Sequence, residues 1–328
     1  MILLCYGTRP EYLKLEPLMK KMEGVIPFYS LHSGQHKDLL HSDATYKIDI
    51  VDGNNRLDSV VSSLMNCVNF KEEGITHVLV QGDTATAYAM ALSAFHHRIP
   101  IIHLEAGMRT YDIENPWPEE VYRQCISRMA STHLTPSEDE KQFLLNEKCG
   151  GEIHVVGNTV LDNLVDIIPI DTPTVLITMH RRENHHIIPK YFEVLDELAK
   201  ENSNMEFIFP IHPNPNVRKH KHLLKHVNVC KPLSYTDMLG IISSSRIIIT
   251  DSGGIQEEAS FFKKKTIVCR KTTERFALLG KSSVLCDSPD KLKAMFDEVK
   301  NNFVVTDECP YGSGHASEKV VEVLKCIV

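Results

Sequence analysis

The chain has 328 residues, of which 42% are hydrophobic and 24% are charged. This composition is typical of a globular protein, and the length predicts one large domain or two of ordinary size. The formal net charge of -7 argues against nucleic-acid binding as the main function. No apolar run approaches the ~20 residues that span a bilayer, and the nine cysteines include no C-x-x-C pair. We therefore expect a cytoplasmic protein with reduced thiols and no membrane partner.

Short apolar runs alternate with longer helical patterns along the chain. The predicted strands cover residues 2–6, 78–80, 101–103, 175–178, 207–210, 247–250 and 266–269. The predicted helices cover residues 11–22, 85–97, 119–131, 138–146, 190–201, 235–244, 254–262 and 291–301. Because strand and helix alternate, we predict an α/β protein whose parallel sheets carry helices on both faces. Ligands of such sheets bind at the carboxyl ends of the strands, so residues that directly follow strands are the most informative.

A break between two domains is predicted at residues 166–174. There Pro169 and Pro173 interrupt a helical pattern ahead of a new strand. We place an N-terminal domain at residues 1–168 and a C-terminal domain at residues 172–314. The last helix, near residues 315–328, is compatible with either domain from its sequence alone.

The first polar cluster follows the first predicted strand and reads Gly-Thr-Arg-Pro-Glu-Tyr-Leu-Lys. Arg9 and Lys14 lie near the start of the next helix, where free backbone N–H groups favour a phosphate. The alternative is a solvated helix start with Pro10 in its first turn. The cluster is not a G-x-G-x-x-G fingerprint, and the chain has no G-x-x-x-x-G-K-[ST] motif, so we expect no nicotinamide or flavin cofactor and no P-loop.

Carboxylates follow the next two predicted strands. Asp83 is either a catalytic carboxylate or the N-cap of the following helix. Glu105 leaves a buried strand directly, where a carboxylate without a partner is costly. Trp117 then lies between two prolines ahead of Glu119. This constrained loop either fixes a catalytic carboxylate or starts a helix whose first-turn acids complement the helix dipole.

The second domain offers a histidine and a glycine turn. His180 follows a strand and is a candidate acid, base or phosphate donor, although a lone histidine at a strand end is more often a surface residue. Ser252, Gly253 and Gly254 join an apolar strand to a helix N-terminus, which is a typical cradle for a diphosphate. Glu258 lies one turn into that helix, where it could bind a ribose diol. A capped helix with a tight glycine turn is the alternative, and it is compatible with this role.

Two further groups of polar residues are candidates for a binding role. Arg275 follows the next strand in the sequence Thr-Thr-Glu-Arg and adds a cation. His220, His222 and His226 have spacings that can ligate a metal, but three interleaved lysines repel a cation. We therefore favour a solvated basic helix there and expect no metal site.

Each of these motifs is weak by itself, but their order along the chain is specific. The string includes Gly-Thr-Arg-Pro-Glu at 7–11, Ser-Gly-Gln-His at 33–36, His-x-Glu-Ala-Gly-x-Arg at 103–109, Pro-Trp-Pro-Glu-Glu at 116–120, His-Arg-Arg-Glu at 180–183, Thr-Asp-Ser-Gly-Gly-Ile-Gln-Glu-Glu at 250–258 and Pro-Tyr-Gly-x-Gly at 310–314. This string resembles the non-hydrolysing UDP-N-acetylglucosamine 2-epimerase family from the first residues almost to the last.

The resemblance implies a glycosyltransferase-B-like fold, in which two Rossmann-like domains face a central cleft and the C-terminal helix packs back on the first domain. It implies a homodimer without a cofactor that binds a UDP-2-acetamido sugar. It also implies the reaction, which is inversion at C2, with UDP-GlcNAc to UDP-ManNAc as the default. UDP would be eliminated to leave a 2-acetamidoglucal and would then be added back.

The resemblance also assigns roles by motif position. The residues that match catalytic positions are Asp83, Glu105, Glu119 and His180. Those that match substrate-binding positions are Arg9, Lys14, Arg123, His212, Ser252, Gly253, Gly254, Glu258 and Arg275. Several family members are activated by a second UDP-GlcNAc, and the residues near that region are Gln35, Arg181 and His212.

Two departures from the family pattern leave the substrate and its regulation open. The segment after Gln35 is compact, and residues 184–186 replace a longer glycine-containing loop. These changes leave open the activation and the sugar, which could be a 6-deoxy or otherwise modified UDP-2-acetamido sugar, including an L-sugar. Three different functions also stay open: a hydrolysing 2-epimerase that releases ManNAc and UDP, a UDP-sugar glycosyltransferase and a non-catalytic nucleotide-sugar sensor.

Overall fold

The computed structural model describes residues 1–36, 43–51, 53–305 and 307–328. The chain divides into two compact units, one formed by Met1–Asn163 with Tyr311–Val328 and the other by Leu164–Pro310. The first division lies a few residues before the break at residues 166–174 that the sequence indicates. Residues 37–42, which belong to the compact segment after Gln35, lie outside the described residues.

The first unit contains a parallel sheet with helices. Its strands are β1 (Ile2–Tyr6), β2 (Phe28–His32), β3 (Tyr46–Lys47), β4 (His77–Gln81), β5 (Ile101–Leu104), β6 (Thr132–Thr135) and β7 (Glu152–Val155). Its first five helices are α1 (Arg9–Met22), α2 (Arg56–Leu64), α3 (Ala85–His96), α4 (Glu119–Met129) and α5 (Glu138–Asn146). The strand order is β3-β2-β1-β4-β5-β6-β7, and neighbouring strands are parallel.

The central strand β1 is buried on both faces. Leu3 and Cys5 lie in a core that also contains residues of α2 and α3. Leu4 and Tyr6 lie in a second core together with Leu15 of α1. A strand that is covered on both faces needs apolar residues at successive positions, which explains the continuous apolar run at the start of the sequence.

The second unit repeats this plan. Its strands are β8 (Thr174–Thr178), β9 (Glu206–Pro210), β10 (Asn228–Cys230), β11 (Ile247–Thr250), β12 (Lys265–Val268) and β13 (Ser283–Leu285). Its helices are α6 (Ile188–Glu201), α7 (Pro215–Arg218), α8 (Tyr235–Ser244), α9 (Gly253–Phe261) and α10 (Pro289–Asn301). The strand order is β10-β9-β8-β11-β12-β13, and neighbouring strands are again parallel.

The last helix, α11 (Ala316–Ile327), returns to the first unit, as the resemblance implied. Val320 and Leu324 lie in the core on the α1 side of the sheet. The carboxylate of Asp162 accepts hydrogen bonds of 2.9 and 2.7 Å from the backbone N–H groups of the first two residues of α11. This side chain caps the helix from a distant segment, because the first N–H groups of a helix have no intrahelical acceptor.

Both sheets have the Rossmann strand order, in which the first strand of the unit lies between the second and the fourth strands. This confirms the predicted class of two Rossmann-like α/β units. No helix among the described residues is long and apolar enough to cross a membrane.

Candidate active site

In each sheet the strand order reverses between two adjacent strands, and open α/β sheets bind ligands at this point. The reversal lies between β1 and β4 in the first unit and between β8 and β11 in the second. Arg9 and Asp83 come just after the first pair of strands, and His180 and Ser252 come just after the second pair. The candidate residues therefore gather at the ligand-binding edge of each sheet.

Glu105 follows β5 and has a backbone φ of 64°, a left-handed conformation that is unfavourable for residues with a side chain. Its two carboxylate oxygens lie 2.6 and 2.5 Å from the ammonium nitrogen of Lys14 on α1. It also accepts a hydrogen bond from Nε2 of Gln81, the last residue of β4. The Lys14 ammonium and the Gln81 amide therefore fix the position of the Glu105 carboxylate at the end of β5.

Asp83 follows β4, and its Oδ2 lies 2.5 Å from Nη2 of Arg123 on α4. It does not cap α3, because Thr84 occupies the N-cap position and its hydroxyl accepts a 3.1 Å hydrogen bond from the N–H of Ala87. The capping interpretation of Asp83 is therefore wrong. The Asp83 side chain is 26% exposed, so a ligand can reach a carboxylate that a buried guanidinium already orients.

The start of α4 carries two acids in different environments. Glu120 is fully buried, and its carboxylate accepts hydrogen bonds from the backbone N–H groups of Thr110 at 3.1 Å and Tyr111 at 3.0 Å. Glu119, the first residue of α4, is half-buried. Glu120 therefore holds the preceding loop, and Glu119 is the more exposed acid of this pair.

Glu11 is a buried acid that the sequence analysis did not assign to the site. Its Oε2 accepts hydrogen bonds from the N–H groups of Gly7 at 3.0 Å and Thr8 at 2.7 Å, and its Oε1 accepts one from the hydroxyl of Thr84 at 2.6 Å. Burial raises the pKa of Glu11 to about 7. Its carboxylate joins the turn after β1 to the turn after β4, next to Asp83. The available signal was the capping box Thr-x-x-Glu at the start of α1.

Gln35 lies beside the same edge of the sheet. The hydroxyl of Thr86 on α3 donates to Oε1 of Gln35 at 2.7 Å and lies 2.7 Å from Oγ of Ser33. A Cβ atom at Gly7 would overlap the hydroxyl oxygens of both Ser33 and Thr86. The turn after β1 therefore needs glycine, because the two hydroxyls occupy the space that a side chain would need.

His103 and Arg109, which belong to the motif at residues 103–109, are buried and contact other groups of the first unit. His103 of β5 is fully buried, and its Nε2 lies 2.8 Å from the carbonyl oxygen of Gly82. Burial lowers its pKa to about 3, so the imidazole is neutral at physiological pH. Arg109, also fully buried, donates to the two carboxylate oxygens of Glu147 at 2.7 and 3.1 Å.

In the second unit, the imidazole of His180 stacks on that of His212, which follows β9. The ring centroids lie 5.0 Å apart, and the planes differ by 18°. The backbone N–H of His180 donates to the carboxylate of Asp251, at 3.1 and 3.0 Å from its two oxygens. Burial has the largest effect and lowers the pKa of His180 below its ordinary value, although the charge of Asp251 opposes this shift. The His180 ring is thus held between a second imidazole and a buried carboxylate.

The helix α9 begins at the end of β11 with the sequence Ser-Gly-Gly. Ser252 is its N-cap residue, and no side-chain hydrogen bond from the described residues caps this end. A Cβ atom on Gly253 would lie 2.8 Å from Nη1 of Arg275, whereas no described atom lies within 4 Å of the same position on Gly254. Since the first N–H groups of a helix have no intrahelical acceptor, this end is suited to bind an anion.

Arg275 belongs to a buried ionic network beside this helix end. Its guanidinium donates to Glu257 at 2.8 Å and to Glu274. Glu274 also accepts a 2.8 Å hydrogen bond from Arg270, and Arg270 donates to Glu183 at 2.9 Å. Two carboxylates therefore already face the Arg275 charge, and the guanidinium supports the glycine turn by packing on it.

Comparison with known proteins decides the family. The sequence model described as UDP-N-acetylglucosamine 2-epimerase matches residues 28–325. The UDP-N-acetylglucosamine 2-epimerase of Neisseria meningitidis is 33% identical to this chain, with 98% of each covered. The protein of the same name from Campylobacter jejuni is 34% identical, with 98% of this chain and 97% of that protein covered.

The chain belongs to the UDP-N-acetylglucosamine 2-epimerase family. A crystal structure of the Neisseria meningitidis member bound to UDP-GlcNAc has a TM-score of 0.88 at 32% identity, with 99% of both chains covered. A structure of S. aureus MnaA with UDP has a TM-score of 0.86 at 29% identity, covering 99% of this chain and 96% of that one. The MurG protein of Acinetobacter baumannii, with a TM-score of 0.61 at 14% identity, shares the fold alone. The family and its glycosyltransferase-B-like fold class are thus confirmed.

The residues that the resemblance assigns to the site fall into two groups, one in each unit. The first unit holds Arg9, Lys14, Gln35, Asp83, Glu105, Glu119 and Arg123. The second holds His180, Arg181, His212, Ser252, Gly253, Gly254, Glu258 and Arg275. Arg9 is exposed at the start of α1, whereas Glu258 is buried on α9. Lys14 and Arg123 contact carboxylates of their own unit, which the order of motifs in this family did not reveal.

Among the described residues, no group of three or more His, Cys, Asp or Glu side chains is arranged to hold a metal ion. The segment that contains His220 and His222 forms only a short 3-10 turn over Lys221–Leu223, where we predicted a basic helix. Nδ1 of His226 lies 2.9 Å from a carboxylate oxygen of Asp196 on α6, so this histidine has a protein partner.

Proposed function

We propose that this chain inverts C2 of a UDP-2-acetamido sugar and that UDP-GlcNAc and UDP-ManNAc are its default pair of substrates. The observation that carries the proposal is the pair of carboxylates after β4 and β5. Asp83 lies at 2.5 Å from Arg123, and Glu105 lies at 2.5 Å from Lys14. Each carboxylate is held by a cation of its own unit at the carboxyl edge of the sheet, which supports a role as a positioned group in proton transfer.

The chemistry explains why such groups are needed. The C2 proton of the sugar lies beside an acetamido group and not beside a ketone, so the carbanion left by simple deprotonation is poorly stabilised. Elimination avoids this carbanion, because the C2–H electrons form a C1–C2 double bond as the C1–O bond to UDP breaks. The products are a 2-acetamidoglucal and UDP. Addition of UDP at C1 with protonation of C2 from the opposite face gives the epimer.

This route requires proton transfer on both faces of C2. We propose Asp83, Glu105 and Glu119 as the proton-transfer groups, without assigning a face to any of them. Support comes from their placement, since Asp83 and Glu105 follow adjacent strands and Glu119 begins the helix that also carries Arg123. A nucleotide-sugar sensor without chemistry would not need three such carboxylates.

The departing UDP requires stabilisation of its diphosphate. We propose that Ser252, Gly253 and Gly254 bind it through the N–H groups at the start of α9, because helix N-termini attract anions. His180 would donate a hydrogen bond to the departing phosphate, and Glu258 would bind the ribose. Such donors act most strongly when they are held in place before the reaction.

The resemblance implies that four cations, Arg9, Lys14, Arg123 and Arg275, lie near UDP and its phosphates. Arg9 is exposed at the turn after β1, so it is the one we propose to contact the phosphates directly. Lys14 and Arg123 contact Glu105 and Asp83, so we propose that they act mainly by orienting these carboxylates. A homodimer and a cytoplasmic location stay predictions.

A second UDP-GlcNAc molecule near Gln35, Arg181 and His212 is also proposed as an activator. The three residues follow β2, β8 and β9 respectively, at the carboxyl ends of their strands. Activation by the substrate predicts a sigmoidal dependence of the initial rate on UDP-GlcNAc concentration. A hyperbolic dependence over the whole concentration range would contradict this part of the proposal.

Incubation of the purified chain with UDP-GlcNAc, followed by proton NMR without added cofactor, tests the proposed reaction. We expect UDP-ManNAc to appear as the product, without release of free ManNAc. Free ManNAc with free UDP would assign the chain to the hydrolysing type of epimerase instead. If UDP-GlcNAc is unchanged, 6-deoxy UDP-2-acetamido sugars are the next substrates to test. Failure of that panel together with sugar transfer to an added acceptor would indicate a glycosyltransferase.

A further inference from the structure

Asp251 is a buried carboxylate that directly follows β11 and that the resemblance does not assign to the site. Its side chain is fully buried. Its Oδ2 accepts hydrogen bonds from the backbone N–H groups of His180 at 3.0 Å and Arg181 at 2.9 Å and from Nδ2 of Asn184 at 3.1 Å. A buried carboxylate is costly unless such donors surround it, so these contacts define the position of the turn after β8.

The same turn is tied to its neighbours by backbone contacts. The N–H of Asp251 donates to the carbonyl oxygen of Thr178, the last residue of β8, at 3.2 Å. Nδ2 of Asn184 also donates to the carbonyl oxygen of Cys269, directly after β12, at 2.9 Å. The segment that carries His180 is therefore fixed against the ends of three adjacent strands, β8, β11 and β12, with Asp251 at its centre.

Asp251 also faces the imidazole ring of His180. Nδ1 of the ring lies 3.6 Å from Oδ1 of Asp251. The ring geometry of histidine then leaves Nε2 as the nitrogen farther from this carboxylate. The other charged or titratable groups that act on the ring are Arg181, His185 and His212. Among these groups Asp251 is the only acid, so among them it alone stabilises the protonated imidazolium.

We propose that Asp251 is a positioning residue for His180: it fixes the turn that carries the histidine and orients Nδ1 toward itself, so that Nε2 is available to the departing diphosphate. This inference rests on the proposed function of His180. A buried carboxylate that orients an imidazole and stabilises its protonated form is a known arrangement in hydrolytic triads. Here it would support a histidine that donates to a leaving phosphate.

The first test is Asp251→Asn, which preserves the size of the side chain and removes its charge. If protonated His180 assists departure of UDP, turnover falls at alkaline pH, where the imidazolium loses its proton. Without the Asp251 charge the imidazolium is less stable. We therefore expect the alkaline limb of kcat to move to lower pH by about one unit or more, with kcat reduced at least about tenfold.

A double-mutant comparison separates positioning from general stability. If Asp251 acts through His180, Asp251→Asn combined with His180→Asn reacts no more slowly than His180→Asn alone. A carboxylate with only a structural role would give losses that multiply, with no shift of the alkaline limb. Either of those results would overturn the proposal.

Asp196 offers a matched control within the same unit. Its carboxylate also accepts hydrogen bonds from two successive backbone N–H groups, those of Lys225 and His226, at 2.5 and 2.6 Å. It also contacts the Nδ1 of a histidine, at 2.9 Å. It lies on α6, away from the carboxyl ends of the strands that carry the site. Asp196→Asn is therefore expected to leave both the pH profile and kcat unchanged.

A measurement on the unchanged protein covers the case in which Asp251→Asn does not fold. ¹⁵N NMR of histidine-labelled protein reports which ring nitrogen carries the proton, and His180→Asn identifies the signal. We expect neutral His180 to carry its proton on Nδ1, facing Asp251, and a proton on Nε2 would overturn the proposal. This result does not depend on turnover. Failure of the unchanged protein to epimerise any UDP-sugar would instead refute the proposed function.

Discussion

Glu11→Gln is expected to change how the stability of the first unit depends on pH. Burial raises the pKa of Glu11 from 4.5 to about 7 in the folded chain. A raised folded-state pKa means that the folded state binds this proton more tightly than the unfolded state. The resulting contribution to the free energy of unfolding is fully present below pH 4.5 and is lost as the pH rises through 7. At ~1.36 kcal/mol per pKa unit, the full change is about 3 kcal/mol.

Glutamine mimics the protonated acid in this position. Its carbonyl oxygen can accept the hydrogen bonds that Oε2 receives from Gly7 and Thr8. Its amide group can donate to the hydroxyl oxygen of Thr84, which lies 2.6 Å from Oε1. The variant should therefore keep the local contacts and lose only the titration. Relative to the unchanged chain, its free energy of unfolding should increase by about 3 kcal/mol between pH 4.5 and pH 7.5.

Chemical denaturation at a series of pH values measures this difference. Circular dichroism can be combined with the fluorescence of Trp117, which is the single tryptophan and lies in the same unit. Glu23→Gln is the matched control, because Glu23 is exposed at the end of the same helix. Its difference from the unchanged chain should stay flat. A flat difference for Glu11→Gln, or one that favours the unchanged chain as pH rises, would refute the reasoning.

Two further predictions each compare a pair of substitutions. Gly253→Ala places a Cβ 2.8 Å from Nη1 of Arg275 and should lower the melting temperature by several degrees. Gly254→Ala should leave the melting temperature within about one degree, because nothing described outside its own helix backbone and chain neighbours lies within 4 Å of the added Cβ. Equal melting temperatures for the two variants would contradict the packing argument. Lys14→Met removes the ammonium group that contacts Glu105 and should lower kcat by about 10²-fold in a UDP-sugar turnover assay. Lys14→Arg keeps a cation at this position and should recover part of the activity. An unchanged kcat in Lys14→Met would show that Glu105 does not need this cation.

The strands that could be predicted from the sequence are those buried on both faces. β1 and β11 are continuous apolar runs, and every residue of each is buried. β6 is equally buried, but its sequence Thr-His-Leu-Thr does not look apolar. Its His133 is accommodated because Nε2 lies 2.8 Å from the carbonyl oxygen of Gly150. A buried strand that contains hydrogen-bonded polar residues of this kind cannot be recognised by an apolar run. The edge strands β7 and β10 also lack a continuous apolar run.

The site could be predicted in outline but not in its pairings. Residues that follow parallel strands share one edge, so the neighbourhood of Asp83 and Glu105 follows from the strand assignments alone. The ionic partners of these carboxylates cannot be predicted in the same way, because Lys14 and Glu105 are 91 positions apart and no local sequence pattern joins them. Asp251 was missed for the same reason, since its role depends on a turn 70 positions away.

Deuterium incorporation at C2 of the sugar tests the central claim most directly. The unchanged chain, Asp83→Asn and Glu119→Gln would each be incubated with UDP-GlcNAc in deuterated water and compared by proton NMR, with Glu138→Gln as an exposed control on α5. We expect the unchanged chain and the control to form UDP-ManNAc that carries deuterium at C2, and the two folded site variants to lose most of this exchange. Full turnover in both site variants, or epimerisation without deuterium at C2, would contradict the proposed proton-transfer chemistry.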